Sequence, residues 1–409
     1  MTENKKLQDV VQAGRAAVLV LAIFSVVTYV VSIVLGPVLF FTTKAGLTEA
    51  ARSLHILPVE VFMLLEVPVY LPLGLSHGAL FAGIMIIFIL CIGAAALTCG
   101  GFIKSLRESL SKPISVAKTN FLYIMPLVGT ALLYATILIS DFQATQGIQT
   151  GSLNFPAQTS PYNILLNLAY APIDEEFAFR ITTIGIPLAL FLLVAYRSDP
   201  HLNGVKKRIG FLLLTLFSPE LAKSRLGHKT VAANGLIHGI SVLEWLLITV
   251  SSVMFGAAHY LAGSGWDIGK VSTAALAGFV FAVMYVSYGA YADILLHWYF
   301  DYYFTVLDMA STAYGGALNA FATVTEAVNL VIGPIVLIVF LLVTVLKLGD
   351  YLTWRAIGGS PKPSGRFTEP PNFQLSYRVA PTKCWLTSNI RRIVVHRKLY
   401  STILYAKEP

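Results

Sequence analysis

The sequence predicts an all-α polytopic membrane protein, with about eight transmembrane helices around a polar intramembrane cavity. Three observations carry that prediction. Of the 409 residues, 56% are hydrophobic and only 12% charged, where soluble domains carry about 25% charged residues; the mean hydropathy is +0.72. Apolar runs of the roughly 20 residues needed to cross a bilayer recur along the chain. The net charge of +8 is concentrated between those runs, at 104–118, at 197–229 and after Lys347. That distribution matches cytoplasmic loops under the positive-inside rule, and no nucleic-acid partner is expected from it.

The first span is Ala16–Phe41, preceded by Lys5, Lys6 and Arg15. It is too long for the apolar core of a signal peptide and reads as a retained anchor. Thr42–Ser76 is amphipathic, with Pro58, Pro68, Pro72, Glu60 and Glu66, and reads as an interfacial helix. Gly78–Cys99 and Phe121–Ser140 are the second and third spans. The loop between them sets Lys104, Arg107, Lys112 and Lys118 against Glu108, whereas Asp141–Tyr162 has no Lys or Arg. The basic loop is therefore expected inside and the other outside. Ile164–Tyr196 is the fourth span, and Pro172 and Pro187 are expected to kink or interrupt it.

Arg197–Lys229 is basic, with an interfacial run at Ile209–Phe217. Val231–Ala262, Val271–Tyr291, Ile294–Ala310 and Ala327–Leu346 complete the eight spans, joined by a tight turn at Gly263–Lys270 and a small-residue loop at Ser311–Thr325. Residues 1–346 are thus a transmembrane domain. Residues 347–409 are a basic tail of eleven Lys and Arg against three acids, and both termini are expected in the cytoplasm. Cys91, Cys99 and Cys384 are too few for a disulfide or zinc framework.

Few ionisable residues lie inside the apolar runs, and charge there is costly enough to mark function. The densest cluster is Ala171–Arg180, with Asp174, Glu175, Glu176 and Arg180. Glu176 and Arg180, four apart, share a helical face; Glu175 is rotated about 100° away and is free to face something else. Phe255 and His259 are four apart, as are His297 and Asp301. If these converge, Glu175 can take a proton from water with His259 as partner, and His297 can stabilise an oxyanion. The same four residues, Glu175, His259, His297 and Asp301, could instead hold a divalent metal such as zinc. Blander readings are a helix-stapling pair for Glu176 and Arg180, a packing role for His259, a helix-surface pair for His297 and Asp301, or a transporter or ion pathway using the same charges. His77, His238 and Glu244 read as interfacial or structural. Straight spans would put Glu175 at mid-membrane, His259 toward the outer end and His297 toward the inner one.

In order, Glu175-Glu176-x-x-x-Arg180, Phe255-x-x-x-His259 and His297-x-x-x-Asp301 resemble the motifs of the CPBP family. These are the CaaX proteases and bacteriocin-processing enzymes, and they include the Ras-converting CaaX endopeptidases. The resemblance covers about 164–310. It implies an eight-helix intramembrane endopeptidase with a polar active-site cavity, hydrolysing a peptide bond near the C-terminus of a prenylated protein. Glu175 would activate water with help from His259. Glu176, Arg180 and Phe255 would support the site, and His297 with Asp301 would line its oxyanion side. The expected partners are membrane lipids and a peptide or protein substrate, possibly prenylated, with no cofactor. Two residues depart from the motifs: Ile181 replaces a frequent glycine, and Asp301 stands where asparagine would offer an N–H donor. An ionised carboxylate only accepts hydrogen bonds, so Asp301 must be protonated, orient His297 or ligate a metal; the orienting role is the one expected. An inactive scaffold on the same fold is the alternative that Asp301 raises.

Overall fold

The computed structural model describes residues 2–61, 67–262 and 265–356. Residues 1–334 form one compact unit that contains every candidate site residue, and 335–409 form a second, described as far as Ala356. Among the described residues, seven helical stretches are long and apolar enough to cross a membrane: Asp9–Thr42, His77–Leu97, Phe121–Thr145, Pro161–Ala195, Val242–Leu261, Ile268–Tyr288 and Gly316–Leu346. The protein is an integral, multi-pass membrane protein. The stretch expected as the seventh span is helical from Ala290 to Tyr314, yet Asp293, His297 and Asp301 keep its hydropathy below that of the others.

The first helix, α1 (Thr2–Thr42), is followed by the short α2 (Lys44–Ala50) and then by an antiparallel hairpin, β1 (Ser53–Val61) and β2 (Val67–Ser76). The register pairs Val59 with Val69 and Glu60 with Pro68. This corrects the interfacial helix expected at Thr42–Ser76. Three prolines within it would each cost a helix interior about 3 kcal/mol, whereas both strands of a two-stranded ribbon are edges, where proline is tolerated. The hairpin is pinned to the next elements by Tyr170, whose hydroxyl donates to the Pro58 carbonyl (2.6 Å).

Glu49, at the end of α2, ties this region together. Its buried carboxylate accepts from Ser160 Oγ (2.6 Å), His77 Nδ1 (2.8 Å), Asn163 Nδ2 (3.0 Å) and Arg52 Nη1 (3.2 Å). Burial alone would raise its pKa; the donors outweigh it and lower the carboxyl from 4.5 to about 2. A carboxylate lowered by folding stabilises the native state above its unfolded pKa, and that contribution is lost as pH falls through the folded value. The Glu49→Gln variant should therefore melt below wild type at pH 7 in detergent. The gap should shrink between about pH 4.5 and pH 2; a gap constant over that range would contradict this assignment.

Next come α3 (His77–Leu97), α4 (Phe102–Glu108) and α5 (Phe121–Thr145), then α6 (Pro161–Glu176), which runs through a π-helical segment (Phe177–Gly185) into α7 (Ile186–Ala195). Pro172 does not break this helix; the irregularity follows the glutamates instead. After α8 (Val205–Phe217) and α9 (Pro219–Arg225), the expected single span Val231–Ala262 is two helices, α10 (Val231–Gly239) and α11 (Val242–Leu261). Ser241 and Glu244 form a capping box that starts α11. Glu244 also pairs with Lys223 at 2.7 Å, both buried, so its role is structural; His238 is exposed.

The chain continues with α12 (Ile268–Tyr288), then α13 (Ala290–Trp298), a second π-helical segment (Tyr299–Tyr303), α14 (Phe304–Tyr314) and α15 (Gly316–Ala356). The loop expected at Ser311–Thr325 is helical on both sides of a break at Gly315, which takes φ +60°, a conformation glycine adopts without strain. The tail after Lys347 begins inside α15; 357–409, with Cys384, lie outside the described residues.

Lipid provides no hydrophobic drive between helices, so association rests on close packing and buried polar contacts. Glycines supply the closeness. A Cβ at Gly36 of α1 would overlap the Tyr302 hydroxyl, and one at Gly129 of α5 would press the Tyr299 ring at 3.1 Å. The aromatic cluster Tyr29, Trp298, Tyr299, Tyr302 and Tyr303 is buried between these helices. It makes the element that bears His297 and Asp301 the centre of the unit.

Candidate active site

Glu175 and Glu176 close α6, and the wider π-helical segment begins at the next residue. There the Ala178 carbonyl accepts from both Thr182 (2.6 Å) and Thr183 (2.8 Å). The second such segment contains Asp301. Local π geometry recurs at functional sites, and here both instances sit within the motif-bearing helices.

Arg180 is fully buried. Its Nε lies 3.1 Å from Glu176 Oε2, and its Nη2 donates to the Gly278 carbonyl at 3.1 Å. The guanidinium carbon is 4.4 Å from the Phe255 ring centroid and 5.4 Å from that of Phe281. A desolvated cation over an aromatic face gains about 2 kcal/mol. Gly278 makes this possible, since a Cβ there would lie 3.0 Å from Phe255 and 3.2 Å from Arg180 Nη2.

The other oxygen of Glu176 accepts from His297 Nδ1 at 2.8 Å. On the far side of the imidazole, Nε2 is 3.2 Å from Asp301 Oδ2 and 3.8 Å from Glu175 Oε2. An imidazole can donate from both nitrogens only as imidazolium. Asp301 thus acts on His297 as an acceptor that fixes its ring, and Phe281 stacks on that ring at 5.1 Å. The two glutamates divide as their spacing suggests. Glu176 is wholly buried and held by two cationic partners. The Glu175 side chain is 29% exposed, and its 3.8 Å approach to His297 is too long for a hydrogen bond, which leaves its lone pairs open.

His259 donates from Nδ1 to the Phe255 carbonyl (2.7 Å). That carbonyl can only accept, so in the neutral ring the other nitrogen carries the lone pair. With Phe255, Lys270, His297, Phe300 and Asp301, His259 lines a cavity of about 280 Å³. No hydrogen bond or ion pair joins Glu175 to His259; the neighbour of Glu175 is His297. The different depths implied by straight spans are overcome because α13 packs against both α6 and α12, while α12 packs along α11.

Two further ionisable groups belong to this neighbourhood. Asp293 is fully buried, accepts from the Ile294 amide (3.0 Å) and lies within electrostatic reach of Glu176 and Arg180. Lys270 lines the cavity, its Nζ 4.0 Å from the Trp266 ring centroid. Neither stands out at motif spacing; a lone lysine at the start of an apolar helix was the available signal. Asp174 is an anchor, accepting from Tyr170 (3.1 Å) and from the Glu60 amide (3.0 Å). Among the described residues, no three His, Cys, Asp or Glu side chains converge as a metal site. Both His297 nitrogens face carboxylates.

The family model described as Type II CAAX prenyl endopeptidase Rce1-like matches residues 157–303, a span that holds all seven motif residues from Glu175 to Asp301. No curated protein and no solved structure matches the chain.

Proposed function

We propose that this chain, whose residues 157–303 match the family model described as Type II CAAX prenyl endopeptidase Rce1-like, is an intramembrane endopeptidase with Glu175 as its base. It hydrolyses a peptide bond near the C-terminus of a prenylated, CaaX-type protein. The observation that carries this reading is the division of labour around His297. Arg180 pairs with Glu176, which holds one side of the ring, while Glu175 stays partly exposed and outside hydrogen-bond range of His297. Glu175 takes a proton from water as the oxygen attacks the carbonyl carbon. The tetrahedral oxyanion is met by the His297 Nε2 proton, transferred from its contact with Asp301. The C–N bond then breaks, and Glu175 returns its proton to the leaving amine. His259, which lines the cavity beside His297, accepts the second hydrogen bond of the attacking water.

Cleavage of a farnesylated C-terminal peptide by the purified protein tests this, with Glu175→Ala and His259→Ala as controls and with chelator present. Wild-type activity should survive chelation and fall in both variants. Equal cleavage by all three proteins would sink the assignment.

A second reading of the substrate is favoured by the position of the cavity. It is lined by Ser140 and Asp141 near the end of α5, His259 near the end of α11 and Lys270 at the start of α12. These ends adjoin the loop without Lys or Arg, and the basic loops lie at the opposite ends. The positive-inside rule then favours a mouth on the non-cytoplasmic face, where a substrate would be presented from outside. An Asp141→Cys variant, in a background with the native cysteines replaced, should react with a membrane-impermeant maleimide in intact cells. Labelling only after permeabilisation would return the mouth to the cytoplasmic side and favour the prenylated cytoplasmic substrate.

A further inference from the structure

We propose that Lys270 is the recognition cation for the free C-terminal carboxylate of the substrate, a subsite that rests on the endopeptidase reading above. Lys270 is the third residue of α12, and its half-buried side chain lines the same cavity as His259, His297 and Asp301. The other buried cations of the unit are neutralised directly: Arg180 by Glu176 at 3.1 Å and Lys223 by Glu244 at 2.7 Å. Among the described residues, no carboxylate forms an ion pair with Lys270. Asp301 in the cavity wall is paired with His297 at 3.2 Å, and it and Glu175 reach Lys270 only as a longer-range field. What holds the ammonium is the face of Trp266, 4.0 Å away, which positions a cation without discharging it.

The mounting of Lys270 is rigid. The Asp267 amide donates to the Thr150 carbonyl (3.0 Å), the Gly269 amide to that of Gln149 (2.9 Å) and the Ser152 amide to that of Gly265 (3.1 Å). Gln143 Nε2 adds a bond to Ser272 Oγ at 2.9 Å. The start of α12 is therefore fixed to the rim of the cavity. A volume of about 280 Å³ lies at the small end of ligand pockets, roughly 300–1,000 Å³. That suits the last few residues of a chain better than an internal loop. An extended tripeptide spans about 10 Å, so an anchor for the carboxylate would set how far from the terminus the bond is cut.

Binding separates this subsite from the chemistry. The probe is a fluorescein-labelled aliphatic tripeptide, made with a free carboxylate and as the carboxamide, and titrated by anisotropy against the purified full chain. The carboxylate form should bind wild type about tenfold more tightly than the amide. Lys270→Gln should reduce that ratio to near one, and Lys270→Arg should keep most of it. Loss of the preference in Lys270→Gln with the amide still bound supports the subsite even if no peptide is ever cleaved, an outcome that would overturn only the protease reading. A wild type indifferent to the terminus, or a Lys270→Gln variant that keeps the preference, would overturn the subsite while leaving the role of Glu175 standing.

Discussion

Replacing Glu175 with glutamine is expected to lower kcat for peptide-bond hydrolysis by about 10²- to 10⁴-fold, the range that general-base catalysis contributes, and to leave thermal stability near that of wild type. The two halves of this expectation have separate physical causes. Glutamine keeps the shape and the hydrogen-bonding oxygen but cannot take a proton from water. The Glu175 side chain is 29% exposed, and its nearest charged partner, His297 Nε2, is 3.8 Å away, so the fold gains little from its charge. A large loss of activity at constant melting temperature, measured on one preparation, would identify a chemical role. Parallel losses of both would identify a structural one.

Breaking the neighbouring pair should do the reverse. Arg180 and Glu176 have fully buried side chains, 3.1 Å apart, and removing Arg180 leaves the buried Glu176 carboxylate with His297 as its one remaining ion-pair partner. That costs about 3–5 kcal/mol, so Arg180→Met should strongly lower the melting temperature in detergent. Its activity should fall as well, because Glu176 also holds His297 Nδ1 at 2.8 Å. The double variant Arg180→Met/Glu176→Leu should recover part of the lost stability, since two well-packed apolar side chains can replace a buried pair. It should recover no activity, as His297 would then lose the Glu176 acceptor that the single variant keeps. A double variant no more stable than Arg180→Met would show that the pair's contribution lies in packing against Phe255 and Phe281 rather than in charge.

The parts of the site that were legible in the sequence are those fixed by local spacing. Glu176 and Arg180 are four apart and do pair; His297 and Asp301 are four apart and lie 3.2 Å from each other. The partner of Glu175 was not legible. Which helix packs against α6 is a tertiary choice, and it gave Glu175 to His297 and left His259 bonded to its own helix. The π-helical segments were hidden for a related reason: nothing in Phe177–Gly185 or Tyr299–Tyr303 alone demands the wider turn. Lys270 was grouped with the turn before it because a single lysine has no period. At Thr42–Ser76 the prolines were visible but weighed as interruptions of a helix, when three of them within 15 residues excluded one and favoured the ribbon.

The most direct test of Glu175 as the water-activating base is single-turnover cleavage of a farnesylated C-terminal peptide by wild type and by Glu175→Gln. Both proteins are stripped with chelator and matched for melting temperature. The expected result is undiminished cleavage by stripped wild type and a loss of at least about 100-fold in the variant. Cleavage by Glu175→Gln at the wild-type rate, or abolition of wild-type activity by the chelator alone, would contradict it.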